Sequence, residues 1–130
     1  MIVIDASALV GMLGKEDEGA RRLTRRLIGE ELVAPHLVDV EVLSGVRRAL
    51  RIGLIRPERA AQALADLASL PLRRVGHTSL LRRAWELRDN LSAYDATYVA
   101  LAEHLRAPLL TADVRLAGAP GVRCDVQLVG

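Results

Sequence analysis

The stretch SAYDATYVALAEHL, Ser92 to Leu105, indicates the fold more clearly than any other part of the chain. It predicts a helix that is apolar on nearly every side for its first three turns, and a helix of that kind is buried. Ser92 precedes Asp95 by three residues, which resembles a capping box, although Asp is a poorer third partner than Glu or Gln. Asp95 is therefore either part of a helix cap or a carboxylate directed at a ligand, and the local pattern favours the cap.

Short strands alternate with helices along the rest of the chain. Strands are predicted at residues 2–4, 32–34, 72–75, 108–111 and 124–129, the last at a sheet edge. Helices are predicted at residues 7–13, 17–29, 36–52, 56–69, 79–90 and 113–117. The runs at 2–4 and 109–111 are wholly apolar, as expected for a parallel sheet covered on both faces. We predict one α/β domain over residues 1–130.

Composition limits the classes of function. About half of the 130 residues are hydrophobic, which is typical of a globular domain. The chain has no Phe, one Trp and two Tyr, so stacking on bases cannot be its main mode of nucleic-acid binding. Seventeen Arg against one Lys permit a phosphate-rich partner, although a codon bias explains them equally well.

Cysteine usage and the N-terminus bear on location. Cys124 is the one cysteine, so no intrachain disulfide can form, which suits a reducing cytosol. The first ten residues are apolar but carry Asp5 and lack a basic leading region, so they make a poor signal peptide. No stretch approaches the length of a membrane span. We expect a cytoplasmic protein with no membrane partner.

Two acidic residues follow predicted strands. Asp5 comes directly after the strand at 2–4, and Asp113 comes after the strand that ends at Thr111. In open parallel sheets, ligands bind beyond the carboxyl ends of the strands. Both residues, like Asp95, also stand at predicted helix starts, where a carboxylate caps the helix and suits its dipole.

Glu41 lies inside the predicted helix at 36–52, next to Val40 and Val42. A glutamate on a partly buried turn needs a partner or a cation, because an unpaired buried charge is very costly. The alternative is an exposed glutamate paired with Arg48 two turns later. Asp39 is predicted to be a solvated surface residue.

The joint pattern carries more weight than any one residue. Asp5, Glu41, Asp95 and Asp113 could converge on one cleft, and such a cluster repels itself unless protons or a cation relieve it. Carboxylate oxygens suit Mg²⁺ or Mn²⁺, and Mg²⁺ binds one or two carboxylates while keeping several waters. A metal held in this way suits phosphodiester hydrolysis.

Four segments carry a family resemblance. They are IVIDASA at 2–8, VEVL at 40–43, WELRDNLSAYDATYVALAE at 85–103 and PLLTADVRLA at 108–117. In this order they resemble the PIN-domain ribonucleases, and within them the VapC-type toxins of bacterial VapBC toxin–antitoxin pairs. The fold implied is a three-layer α/β/α sandwich with a short, mainly parallel central sheet.

The resemblance also implies an activity and a site. The activity is endonucleolytic cleavage of RNA that depends on Mg²⁺ or Mn²⁺, with water as the nucleophile, leaving a 5′-phosphate and a 3′-hydroxyl. The family's four acidic positions match Asp5, Glu41, Asp95 and Asp113. Asp5 and Asp95 are expected to touch the metal, while Glu41 and Asp113 act through coordinated water or at a second metal. The partners implied are RNA, a cognate VapB-type antitoxin that blocks the cleft, and a second copy of the chain in a homodimer.

Further residues have weaker expectations. Ser7 and Thr111 are candidates to orient carboxylates by hydrogen bonds, with ordinary capping as an equal alternative. Arg48 is a candidate contact to an RNA phosphate, although a solvated side chain is the simpler interpretation. Trp85, Tyr94 and Tyr98 are expected in the core or a dimer interface rather than as base platforms.

Rival functions make different demands on the sequence. A haloacid-dehalogenase-type phosphatase needs a second Asp two residues after the first, where this chain has Ser7, and a late catalytic Lys, whereas Lys15 is the one lysine. A receiver domain fails on the same lysine. A non-catalytic RNA-binding or scaffold protein stays open, and its function would survive substitution of Asp5.

Overall fold

A computed structural model of the chain describes residues 1–129. The strands are β1 Ile2–Ile4, β2 Leu32–Pro35, β3 Leu72–Val75, β4 Leu109–Thr111 and β5 Val126–Leu128. The helices are α1 Ala6–Gly14, α2 Glu18–Arg26, α3 Val38–Arg51, α4 Pro57–Ser69, α5 Leu81–Glu86, α6 Ala93–Leu105 and α7 Val114–Ala117, with a 3-10 turn at Thr78–Leu80. The predicted alternation of strands and helices is confirmed.

The five strands form one parallel sheet in the order β3-β2-β1-β4-β5. The chain moves from β1 outward to β3, returns to the other side of β1 as β4, and ends at the edge strand β5. Since parallel crossovers are right-handed, this reversal places the helices before and after β3 on opposite faces. The result is the α/β/α sandwich that the family resemblance implies.

The helical contacts agree with this layering. Helix α1 packs against α2, α3 and α4, whereas α6 packs against α5 and lies across β1, β2 and β4. In α6 every residue from 96 to 102 is buried. This apolar helix packs between the sheet and α5, so these residues have no solvent-exposed face. The helix ends at Arg106, whose φ of 52° is left-handed. Helix α6 is thus a rigid support for its first turn, where Asp95 lies.

Three elements are markedly shorter than the sequence predicts: α2 ends at Arg26 rather than at residue 29, β5 covers Val126–Leu128 rather than 124–129, and α5 is the third. The helix predicted at 79–90 is a 3-10 turn followed by α5, which ends at Glu86. The backbone N–H groups of Leu87 and Arg88 bond three residues back, to Ala84 and Trp85, so the last turn tightens instead of continuing. No helix within residues 1–129 is long and apolar enough to cross a membrane.

The close packing of α1 on α3 makes Gly45 a test of the fold. A Cβ at Gly45 would come within 2.7 Å of Val10 Cγ2, whereas one at Gly11 would have no neighbour within 4 Å. We expect Gly45→Ala to destabilise the protein by about 1–2 kcal/mol, because Val10 is stiff and must move. Gly11→Ala is expected to stabilise it by about 0.5–1 kcal/mol through helix propensity. Denaturant unfolding measures both, and an equal gain at the two sites would contradict the packing.

Candidate functional site

The four predicted carboxylates lie on four elements that meet at the carboxyl edge of the sheet. Asp5 directly follows β1, and Asp113 comes two residues after β4, the strand beside β1. Glu41 is in the first turn of α3, which follows β2, and Asp95 is in the first turn of α6. The expected position of Asp5 and Asp113 at this edge is confirmed.

Asp5 is the most constrained of the four. Its side chain is 4 % exposed. One oxygen, Oδ1, accepts hydrogen bonds from the Ser7 hydroxyl at 2.7 Å and from the Ala8 backbone N–H at 3.0 Å, which caps α1. The other, Oδ2, accepts from the Thr111 hydroxyl. Three donors therefore contact the two oxygens of the Asp5 carboxylate.

The same two hydroxyls connect Asp5 to the segment after β4. The Ser7 hydroxyl accepts from the backbone N–H of Ala112 at 2.9 Å, and the Thr111 hydroxyl accepts from that of Asp113 at 3.0 Å. These are the contacts that a carboxylate-orienting role for Ser7 and Thr111 requires. That role stays a prediction.

Thr111→Val tests this connection. Valine keeps the volume but removes the donor to the buried Asp5 carboxylate, and losing a hydrogen bond to a charged group costs about 1.5–3 kcal/mol. Thr97 is the matched control, since it is also buried but donates to Ala93 O in its own helix. We expect Thr97→Val to cost less than about 1 kcal/mol. Urea unfolding at pH 7 compares the two, and equal losses would mean that Asp5 does not depend on Thr111.

The question of whether Asp95 is a cap has a structural answer. Ser92 is the N-cap of α6, and its hydroxyl accepts the backbone N–H of Asp95 at 3.1 Å. The cap thus uses the backbone of Asp95. Burial raises the pKa of the half-buried Asp95 carboxyl, and the negative charges of Asp113 and Asp5 raise it further, outweighing Ser92 and Arg115.

Glu41 presents a buried oxygen that lacks a partner. Its Oε1 is fully buried and makes no hydrogen bond, and the same is true of the Tyr98 hydroxyl. The two groups interact but do not reach hydrogen-bond geometry. Burial raises the pKa of Glu41, the hydroxyl of Tyr98 lowers it, and Asp95 and Asp5 raise it. The alternative for Glu41, an ion pair with Arg48, does not form, since Arg48 makes none of the ion pairs among residues 1–129.

Mutual repulsion links all four carboxylates. Burial is the main cause that raises the pKa of Asp5, against the hydrogen bonds from Thr111, Ala8 and Ser7, and Asp113 adds to the rise. Asp95 is repelled by Asp113 and Asp5, and Glu41 by Asp95 and Asp5. The structure therefore brings the predicted residues into one electrostatic cluster.

The cluster fits a hard divalent cation. It offers oxygen donors, carries excess negative charge and includes the unpartnered Glu41 Oε1, which are features that Mg²⁺ and Mn²⁺ relieve. Within residues 1–129, no group of three or more His, Cys, Asp or Glu side chains is placed so that it could hold a metal ion. A cation that keeps most of its water needs one or two carboxylates, so the donor set agrees with such a metal.

Two charged contacts near the site escaped the sequence analysis. Arg115 Nε lies 3.4 Å from Asp113 Oδ1, and a signal existed, since Arg115 stands two residues after the acid. Asp39, predicted to be solvated, is instead half-buried and accepts two hydrogen bonds of 2.8 Å from the guanidinium of Arg74 on β3. Asp39 and Arg74 are 35 residues apart in the chain, so no local sequence pattern predicts their contact.

Comparison with known proteins identifies the family of this chain. The PIN domain model matches residues 2–122. Ribonuclease VapC9 of Mycobacterium tuberculosis is 43% identical over 129 residues, covering 99% of this chain and 98% of that protein. Among solved structures, PAE2754 from Pyrobaculum aerophilum superposes with a TM-score of 0.70 at 25% identity, covering 96% of this chain and 81% of that one.

A toxin–antitoxin assembly has the same fold. VapBC2 from Rickettsia felis, solved bound to a DNA fragment from its promoter, matches with a TM-score of 0.70 at 15% identity, and each chain is covered completely. VapC9 aligns along nearly its whole length, so the likeness includes both ends of the sheet and all four carboxylate-bearing segments. The chain belongs to the PIN domain family, among the VapC ribonucleases.

Proposed function

We propose that the chain is the toxin of a VapBC-type toxin–antitoxin pair, an endoribonuclease that hydrolyses RNA phosphodiester bonds. Full-length identity to a VapC ribonuclease supports the reaction class. The observation that carries the site is the set of four mutually repelling carboxylates at one sheet edge, with an unpartnered buried oxygen on Glu41. One PIN domain over residues 1–130 is part of the proposal.

Asp5 and Asp95 would hold the cation, which is Mg²⁺ or Mn²⁺. Bound there, such a cation would supply polarisation of the phosphate and a lowered pKa of water, which are the contributions that phosphodiester hydrolysis needs. Glu41 and Asp113 would act from the rim of the site on water or at a second cation.

The remaining chain would provide orientation. The hydroxyls of Ser7 and Thr111 would hold Asp5 in one rotamer. The buried helix α6 would limit the movement of Asp95 away from the site. Fixed carboxylates cost no reorganisation as charge develops in the reaction. Arg48 is exposed on α3 and would meet an RNA phosphate outside the cluster.

The partners follow from the same assignment. A VapB-type antitoxin would block the cleft, and the solved VapBC assembly has this chain's fold. A homodimer and a cytoplasmic location, where RNA is the available substrate, complete the proposal.

An end-labelled structured RNA tests the activity. We expect cleavage with Mg²⁺ or Mn²⁺, no cleavage with excess chelator, and products that carry a 5′-phosphate and a 3′-hydroxyl. The competing function is non-catalytic RNA binding. A protein that binds RNA equally well in chelator, never cuts it, and is unaffected by Asp5→Asn would establish that alternative.

A further inference from the structure

Tyr98 is a buried polar residue for which the proposed mechanism has no use. It lies on α6 three residues after Asp95, so the two side chains share a helix face. The side chain is 1 % exposed. Its hydroxyl is fully buried and has no hydrogen-bond partner, which is unusual because buried polar groups are nearly always paired.

The surroundings of that hydroxyl are specific. Glu41 of α3 faces it, and the backbone N–H of Ala6, the residue after Asp5, lies beside it. The hydroxyl therefore stands where the starts of α1, α3 and α6 meet. Three of the four carboxylate-bearing elements converge on this one group.

The chemistry of the two unpartnered groups is complementary. Tyrosine offers an O–H donor and an ionised glutamate offers acceptors only. Their buried atoms, Tyr98 Oη and Glu41 Oε1, both lack partners, so a small movement of either side chain satisfies both at once. Phenylalanine would fill the same volume, and a space-filling role gives no reason for a hydroxyl in an apolar layer.

We propose that Tyr98 is a positioning residue, whose hydroxyl donates a hydrogen bond to Glu41 Oε1 and so holds the Glu41 carboxylate toward the cluster. This inference rests on the proposed metal-dependent nuclease function. With Oε1 occupied from the protein side, the second oxygen of Glu41 is left for the cation or its water. Groups that orient a metal's carboxylates in this way typically change metal affinity or activity by 10–100-fold.

Tyr98→Phe removes the hydroxyl alone, and Tyr94→Phe is the matched control, because Tyr94 lies on the same helix but is 62 % exposed. Binding of Mn²⁺ to the RNA-free protein, followed by electron paramagnetic resonance, gives a readout independent of cleavage. We expect the Mn²⁺ dissociation constant of Tyr98→Phe to rise about tenfold. The kcat for RNA should fall by a similar factor at unchanged KM, while Tyr94→Phe binds Mn²⁺ as the wild type does.

A double variant decides whether Tyr98 acts through Glu41. If it does, Glu41→Gln with Tyr98→Phe binds Mn²⁺ no more weakly than Glu41→Gln alone, because the two losses share one contact. Fully additive losses, or wild-type Mn²⁺ affinity in Tyr98→Phe, would overturn the inference and leave the nuclease function standing. A wild-type protein that neither binds Mn²⁺ nor cleaves RNA would instead overturn the proposed function, and the Tyr98 inference with it.

Discussion

Asp95→Asn is expected to reduce RNA cleavage by more than about a hundredfold while the metal-free protein keeps its melting temperature or gains a few degrees. The loss of activity follows because asparagine cannot supply the anionic oxygen that a cation needs, and even indirect disturbance of a metal site costs 10–100-fold. Stability survives because the cap of α6 uses the Ser92 hydroxyl and the backbone of residue 95. Removing the charge also relieves repulsion from Asp5 and Asp113.

Asp89→Asn is the matched control, since it makes the same change at an exposed position shortly before α6. It should leave both cleavage and melting temperature unchanged. Scanning calorimetry in chelator and a cleavage time course in Mg²⁺ provide the two measurements. Persistent cleavage together with a fall in melting temperature would mean that Asp95 serves the helix start and that the four-carboxylate site is wrong.

A divalent cation is expected to raise the melting temperature by about 10 °C at neutral pH. A ligand at a hundred times its dissociation constant stabilises the folded state by about 2.7 kcal/mol, which corresponds to roughly 10 °C for a domain of this size. A cation bound as proposed would relieve the repulsion among Asp5, Asp95 and Glu41. KCl at matched ionic strength is the control for simple screening, and an equal rise in KCl would contradict a bound metal.

The pH dependence of the metal-free protein has the same origin. Burial raises the pKa of Asp5, Asp95 and Glu41 above their ordinary values of 3.8, 3.8 and 4.5, so the folded state binds more protons than the unfolded chain above those values. The stability that these carboxyls contribute is fully present below about pH 4 and is lost as the pH rises through the raised pKa values. Glu103 has the opposite dependence, because contacts from Arg83 and Arg123 outweigh its burial and lower its pKa.

Comparing Asp95→Asn with the wild type isolates the contribution of this one carboxylate. Without metal, we expect the melting temperature of the variant minus that of the wild type to grow as the pH rises above 3.8, the ordinary pKa of Asp95, and to disappear when Mg²⁺ saturates the wild type. A difference independent of pH would mean that folding does not raise the pKa of Asp95.

The sequence predicted the elements that follow from hydrophobic periodicity, and the residue positions that follow from strand direction. Apolar runs predicted β1 and β4, and strand direction then placed Asp5 and Asp113 at one edge. It could not separate the two roles available at the start of α6, because Ser92 and Asp95 satisfy the same pattern. The structure shows that the Ser92 hydroxyl accepts the backbone N–H of residue 95, and the ligand role of the Asp95 carboxylate stays a prediction.

Contacts between segments that are distant along the chain could not be predicted from the sequence. The pairing of Asp39 with Arg74 depends on β2 and β3 lying side by side, and the facing of Tyr98 and Glu41 depends on how α3 and α6 meet. Trp85, Tyr94 and Tyr98 were expected in the core or a dimer interface. Tyr98 is in the core, whereas Trp85 and Tyr94 are 67 % and 62 % exposed and lie outside it. The Tyr98 hydroxyl is informative only once the unpartnered oxygen of Glu41 is known.

The bond from Thr111 to Asp5 spans 106 residues, and this separation matters during synthesis. At roughly 5–20 residues per second, a ribosome needs about 5–20 s to pass from the codon for Asp5 to the codon for Thr111. During that interval the nascent chain has β1 without β4, so Asp5 lacks a donor and Asp113 does not yet exist. A ribosome therefore has to translate every residue from Asp5 to Asp113 before the four carboxylates can assemble.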